Sequence, residues 1–166
     1  SPFRPTKKKF MKVQARRKNL KIEYYTTSLH ENPKRGCLLS HLNVIQKAEE
    51  DNVEQLLILE DDAKFTINPK ILQEPPEDWD MLYLGGNHQR PPIEVNAPVH
   101  RVQVFSTHAY AVKASLFPRV IKLLEDATIP LDVAYRDVLH TDPEVNTYGC
   151  QPQIAWQEVG FSDIEN

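Results

Sequence analysis

Glu60, Asp61 and Asp62 close a run of four aliphatic residues, Leu56-Leu57-Ile58-Leu59. Four apolar residues in succession predict a strand over 55–59 that is buried on both faces. Three carboxylates at its end set like charges side by side where the chain leaves the sheet. That is unfavourable unless a cation balances them. Mg²⁺ and Mn²⁺ prefer oxygen ligands, and one or two carboxylates plus a substrate diphosphate make a typical site. In an extended tip Glu60 and Asp62 share a side while Asp61 points away. The competing reading is a solvated acidic turn that caps a helix.

Three further clusters carry polar groups suited to chemistry. Gly36-Cys37-Leu38-Leu39-Ser40-His41 opens a helix, where a hydroxyl and an imidazole could reach a phosphate or a sugar. A packed, hydrogen-bonded Ser-His pair is the alternative. Gly85 and Gly86 follow Tyr83-Leu84 and let a ligand approach the backbone, or simply form a turn. Asp132, in Pro130-Leu131-Asp132, is either a general base for an acceptor hydroxyl or an N-cap.

The elements that must position these residues follow from patterning. Basic residues crowd positions 1–21, with Phe10, Met11, Val13 and Leu20 interleaved, which predicts an amphipathic helix over 6–18. Its charge either contacts an anion or is a solvated face. Ile22-Glu23-Tyr24-Tyr25 is a candidate short strand. Leu38, Leu42, Ile45 and Ala48 make a helical stripe over 37–50, and Asn52 could end that helix. Residues 66–79 read as a loop, 79–84 as a second strand and 87–100 as a Pro-rich loop. Strands are expected at 102–105 and 108–112, then a helix capped by Ser115 and another over 131–139. Strands alternating with helices predict an α/β fold with a mostly parallel central sheet flanked by helices.

Composition narrows the class. The 166 residues fit a single domain over 1–166. A net charge of −3 offers no general attraction to nucleic acid. No run approaches the roughly 20 apolar residues of a membrane span, and no signal peptide is evident. Two cysteines, Cys37 and Cys150, lack metal spacing and read as two buried thiols rather than one disulfide. The compartment is not settled by this, with the cytoplasm expected ahead of the secretory lumen.

Taken in order, these pieces resemble glycosyltransferase family 25, which includes lipooligosaccharide and procollagen galactosyltransferases. The matching residues are Gly36-Cys37 with Ser40-His41, Ile58-Leu59-Glu60-Asp61-Asp62, Trp79 to Gly85, Thr107 to Val112 and Pro130-Leu131-Asp132. Gln151 to Gln157 with Gly160 to Ile164 resembles the family's end. The family opens with an apolar strand followed by basic residues. Here the chain begins just beyond that strand, with Arg4 and Lys7 as the remainder of the basic motif.

The resemblance implies a GT-A-like nucleotide-diphospho-sugar transferase fold that moves galactose or glucose from a UDP-sugar to a hydroxyl of a glycan or protein, with inversion. It implies Mn²⁺ (or Mg²⁺) held by Asp62 and Glu60. Ser40, His41, Glu60, Asp61 and Gly85 would bind the donor, and Asp132 would be the catalytic base.

Three rivals compete. A catalytically inactive sugar-binding or interaction module would share the fold. A phosphoacceptor receiver domain also has an aliphatic strand entering an acidic pair, but its acids sit on the first strand, and Gly85 stands where it needs a phosphorylatable Asp. A nucleic-acid binder would use residues 1–21, which lack aromatic interleaving beyond Phe10.

Overall fold

The computed structural model describes residues 4–26, 30–66, 75–88, 93–96 and 99–157. Positions 67–74 of the expected loop and the Gly160–Ile164 stretch lie outside them. Helix α1 (Arg4–Lys18) turns Met11, Gln14 and Ala15 inward. Helix α2 (Pro33–Glu50) starts five residues before Leu38, the first of its apolar stripe. Asn32 caps it by accepting from Arg35 N at 3.1 Å, and Pro33 occupies the first turn, where its missing N–H is no loss. Asn52 follows with φ of 55°, a left-handed turn that Asn tolerates, so the predicted helix end holds.

Strand β1 (Gln55–Leu59) runs into the acidic tip, and β2 (Ala63–Phe65) leaves it. Then come β3 (Met81–Tyr83), β4 (Asn87–His88), β5 (Ile93–Asn96), β6 (Val99–Arg101), β7 (Val104–Phe105) and β8 (Ala109–Lys113). A single 3-10 turn (Ala114–Leu116) leads into α3 (Phe117–Asp126). The short α4 (Leu131–Ala134) widens into a π-turn over Tyr135–Leu139. Strands β9 (Thr147–Cys150) and β10 (Ala155–Gln157) complete the described chain.

Six strands form one sheet in the order β1-β8-β3-β9-β6-β5. The class is α/β as expected, but the sheet is mixed rather than mostly parallel. Only the β3–β9 pairing is parallel, and the other four are antiparallel. Alternation of strands and helices in sequence implies parallel crossovers, whereas β8 returns antiparallel between β1 and β3. Strand β1 is an edge, not a central strand, and Leu57 is 44% exposed. An aliphatic run reports burial potential and cannot say how many neighbours a strand has. Three further expectations change. Residues 22–25 are not a strand, Ser115 makes no side-chain cap, and the Pro-rich 87–100 segment carries β4, β5 and β6.

Side chains alternate across the sheet. Met81, Tyr83, Tyr110 and Val112 face a core shared with Leu38, Leu42 and Ile45 of α2, Val120 and Leu124 of α3, and Leu131 and Tyr135. Leu82 and Ala109 face a second cluster with Phe65, Trp79, Tyr148 and Ile154. Fully buried residues such as Ile45 and Leu124 each contribute roughly 1.5–3 kcal/mol, enough together to hold α2 and α3 against the strands. Cys37 and Cys150 are both free thiols, one in each packing region.

Candidate active site

The register of β1 on β8 places the acidic tip. Leu59 pairs with Ala109, and the next residue, Glu60, donates its N–H to His108 O at 2.9 Å. Thr107 and His108 are thereby set beside Glu60. Thr107 Oγ1 donates to Glu60 Oε1 at 2.8 Å. From the helix layer, His41 Nε2 approaches the same oxygen at 3.5 Å. Its Nδ1 lies 3.0 Å from Tyr110 OH, which lies 3.2 Å from Tyr135 OH. Glu60 therefore ends a buried polar chain running through His41, Tyr110 and Tyr135. Burial alone would push the Glu60 carboxyl up, but the His41 hydrogen bond and charge, with help from Thr107 and His108, hold it below the usual range.

Asp62 has the opposite environment. Burial, then the Glu60 charge, raise its pKa, while Lys7 and Gln157 pull the other way. Its Oδ2 meets Lys7 Nζ at 3.4 Å and Gln157 Nε2 at 3.3 Å. Its Oδ1 is buried with no hydrogen-bond partner among the described residues. Lys7 also reaches Asp61 Oδ1 at 3.3 Å, so one ammonium faces both carboxylates. Burial lowers the Lys7 pKa, and Asp62 and Asp61 together more than reverse that.

Asp132 enters the same field from α4. Pro130 is the N-cap there, so Asp132 is not the cap, although its Oδ1 accepts from Val133 N at 2.9 Å. Burial raises its pKa, and the Glu60 charge adds to the rise. Cys37 feels Glu60, Asp132 and Asp62 together after its own burial, and its thiol is pushed up to about 12. Glu60 and Asp62 from β1's tip and Asp132 from α4 thus all act electrostatically on one side chain of α2.

Ser40 and Gly85, the other sequence candidates, are both engaged within the fold. Ser40 Oγ donates back to Gly36 O at 2.7 Å along its own helix. At Gly85 a Cβ would stand 1.7 Å from Ala155 O, so the open side of this glycine is filled by the chain itself. Ile154 N and Ala155 N both donate to Leu84 O there, at 2.9 and 3.1 Å.

Among the described residues one group of three side chains has a geometry that could hold a metal ion. Cys37, His41 and Glu60 each offer an atom within 4.8 Å of the others. That set includes a thiol that stays protonated at neutral pH, and only the thiolate is a good ligand. Glu60 and Asp62 offer oxygens only, the set that Mg²⁺ and Mn²⁺ prefer. The partnerless Asp62 Oδ1 and the Lys7 ammonium facing Asp62 both mark a place where positive charge is wanted.

The sequence reading missed Lys7 as counter-charge, and it missed Tyr110, Tyr135 and Thr107 as the groups that orient His41 and Glu60. A polar Thr-His pair entering an apolar strand was the available signal for Thr107. No local pattern marks the tyrosines.

A family model described as glycosyltransferase family 25 (LPS biosynthesis protein) matches residues 5–120. The chain belongs to glycosyltransferase family 25. The match takes in α1, α2, the acidic tip and β8, and stops before Asp132. The chain is also similar to procollagen galactosyltransferase 1-B of Xenopus laevis, with 40% identity over 58 residues. That stretch is 30% of this chain and spans 10% of the relative's length.

Proposed function

We propose that this family 25 chain transfers a hexose, galactose or glucose, from a UDP-sugar to a hydroxyl on a glycan or a protein side chain, on a GT-A-like fold and with inversion. The observation that carries the reading is that Glu60, Asp62 and Asp132 act on one another's surroundings and sit in opposed electrostatic environments. Glu60 is held ionised by His41 and Thr107, while Asp132 is made more basic by burial. Carboxylates pushed apart in this way divide the labour of a site.

Asp132 is the base that takes the proton from the acceptor hydroxyl. Glu60 and Asp62 would hold Mn²⁺ or Mg²⁺, and Asp62 Oδ1 is the oxygen left for it. Such an ion, when bound, neutralises charge on a departing nucleoside diphosphate. Ser40 and His41 stand on the donor side, with His41 kept in orientation by Tyr110. Asp61, turned toward Lys7 with it, balances the donor side of the tip. The galactosyltransferase name of the Xenopus relative supports galactose as the first donor to try.

Thermal-shift measurements with UDP-galactose and UDP-glucose, each with and without Mn²⁺, test the reading. A shift that requires both components, and that is lost in Asp62→Ala, is expected. Full transfer by Asp62→Ala in excess chelator would remove the metal assignment.

A further inference from the structure

Next to the carboxylates the described residues form a cleft of about 250 Å³, lined by Gly86, Asn87, Ser106, His108, Gln153 and Trp156. Gln157 completes its wall, and the same side chain donates to Asp62 Oδ2 at 3.3 Å. The cleft therefore adjoins the acidic tip on the Asp62 side. Its volume lies just below the roughly 300–1,000 Å³ of pockets that take drug-sized ligands. It suits a single ring and not a whole nucleotide-sugar.

The wall chemistry is specific. Trp156 is 54% exposed, whereas the other tryptophan, Trp79, is buried. His108 is 3% exposed, and its Nδ1 meets Ser106 Oγ at 2.6 Å. Burial lowers the His108 pKa, and a hydrogen bond to the Ala155 backbone, with the Glu60 and Asp62 charges, only partly restores it. Gln153 is committed at both ends to Gly86, accepting from its N–H at 3.3 Å and donating to its carbonyl at 2.7 Å. It shapes the wall and leaves Asn87, Ser106 and His108 to read a ligand.

A pyranose has an apolar C–H face and an edge of hydroxyls. An indole face beside hydrogen-bonding side chains matches both. We propose that this cleft binds a pyranose ring, with Trp156 stacked on its C–H face and His108, Ser106 and Asn87 meeting its hydroxyls. The proposal rests on the glycosyl-transfer reading, and the ring belongs either to the donor or to the acceptor.

Saturation-transfer NMR with methyl β-galactoside and methyl β-glucoside tests it on the whole chain. Transfer to the ring C–H protons is expected, with affinity about tenfold weaker in Trp156→Ala and largely restored in Trp156→Phe. Displacement of the glycoside by UDP-hexose but not by UDP assigns the ring to the donor. Glycoside retained beside saturating UDP-hexose assigns it to the acceptor. No transfer from either glycoside, or equal transfer in Trp156→Ala, overturns the proposal. If UDP-hexose still binds with Mn²⁺ in that case, only the cleft is lost and the transferase reading stands. Glycoside binding without any UDP-hexose binding has the reverse meaning.

Discussion

Lys7 and Asp62 lie 55 residues apart in the chain, and the Lys7 ammonium stands 3.4 Å from Asp62 Oδ2. A helix that reads as a solvated basic face thus supplies a counter-charge to the acidic tip. Lys7→Met should remove it with little change in fold, because the pair is partly solvated and worth at most ~1 kcal/mol. The variant should melt slightly lower without metal and gain more from added Mn²⁺ than the wild type does. Equal Mn²⁺-induced shifts in melting temperature would count against this role.

Asp132→Asn should leave UDP-sugar affinity unchanged and slow transfer by roughly 10²–10⁴-fold, the usual range for a lost general base. Burial raises the Asp132 pKa, so the acid limb of the wild-type rate profile should lie above the ordinary carboxylate range. That limb should vanish in the variant. Single-turnover rates across pH would decide it, and an unchanged limb would assign the base elsewhere.

Gly85→Ala would drive a methyl group to within 1.7 Å of the Ala155 carbonyl. The obstacle is backbone in a sheet-flanking segment and cannot swing aside. A loss of about 3 kcal/mol is expected in urea unfolding. A near-neutral result would mean that the 153–155 segment is not seated against Leu84 in solution.

His140 has Nε2 at 3.0 Å from Tyr83 OH, and its Nδ1 accepts from Val104 N at 3.3 Å. Burial holds its pKa down, from 6.5 to about 4. The unfolded chain takes up this proton near 6.5 and the folded chain only near 4. Stability therefore falls as pH drops through that window, by on the order of 3 kcal/mol in full. Asp62 and Asp132, with raised pKa values, act in the opposite sense, so the comparison must be made against a variant. His140→Gln should lose about 2 kcal/mol less than wild type between pH 7 and pH 4.5. Parallel loss in both proteins would exclude His140 as the titrating group.

Much of the helix layer was legible in the sequence. The stripe of Leu38, Leu42, Ile45 and Ala48 is a local periodic signal, and all four residues are buried. Asn52 ends the helix through a left-handed turn, a property of the residue itself. The strand over 55–59 and the three acids at its tip are likewise local. What was not legible is adjacency. An aliphatic run does not record that β1 is an edge strand, nor that β8 lies between it and β3.

The same division runs through the site. The order of the motifs in the chain was enough to indicate family 25 and to name Glu60, Asp62 and Asp132 as candidates, because residue type and spacing are properties of the chain. Their protonation was decided only by tertiary structure. Glu60 is lowered because a helix brings His41 and a strand register brings Thr107, while Asp62 and Asp132 are raised because packing withdraws them from water. A pKa depends on burial and on charges a few ångströms away, and folding draws both from segments that the sequence keeps far apart.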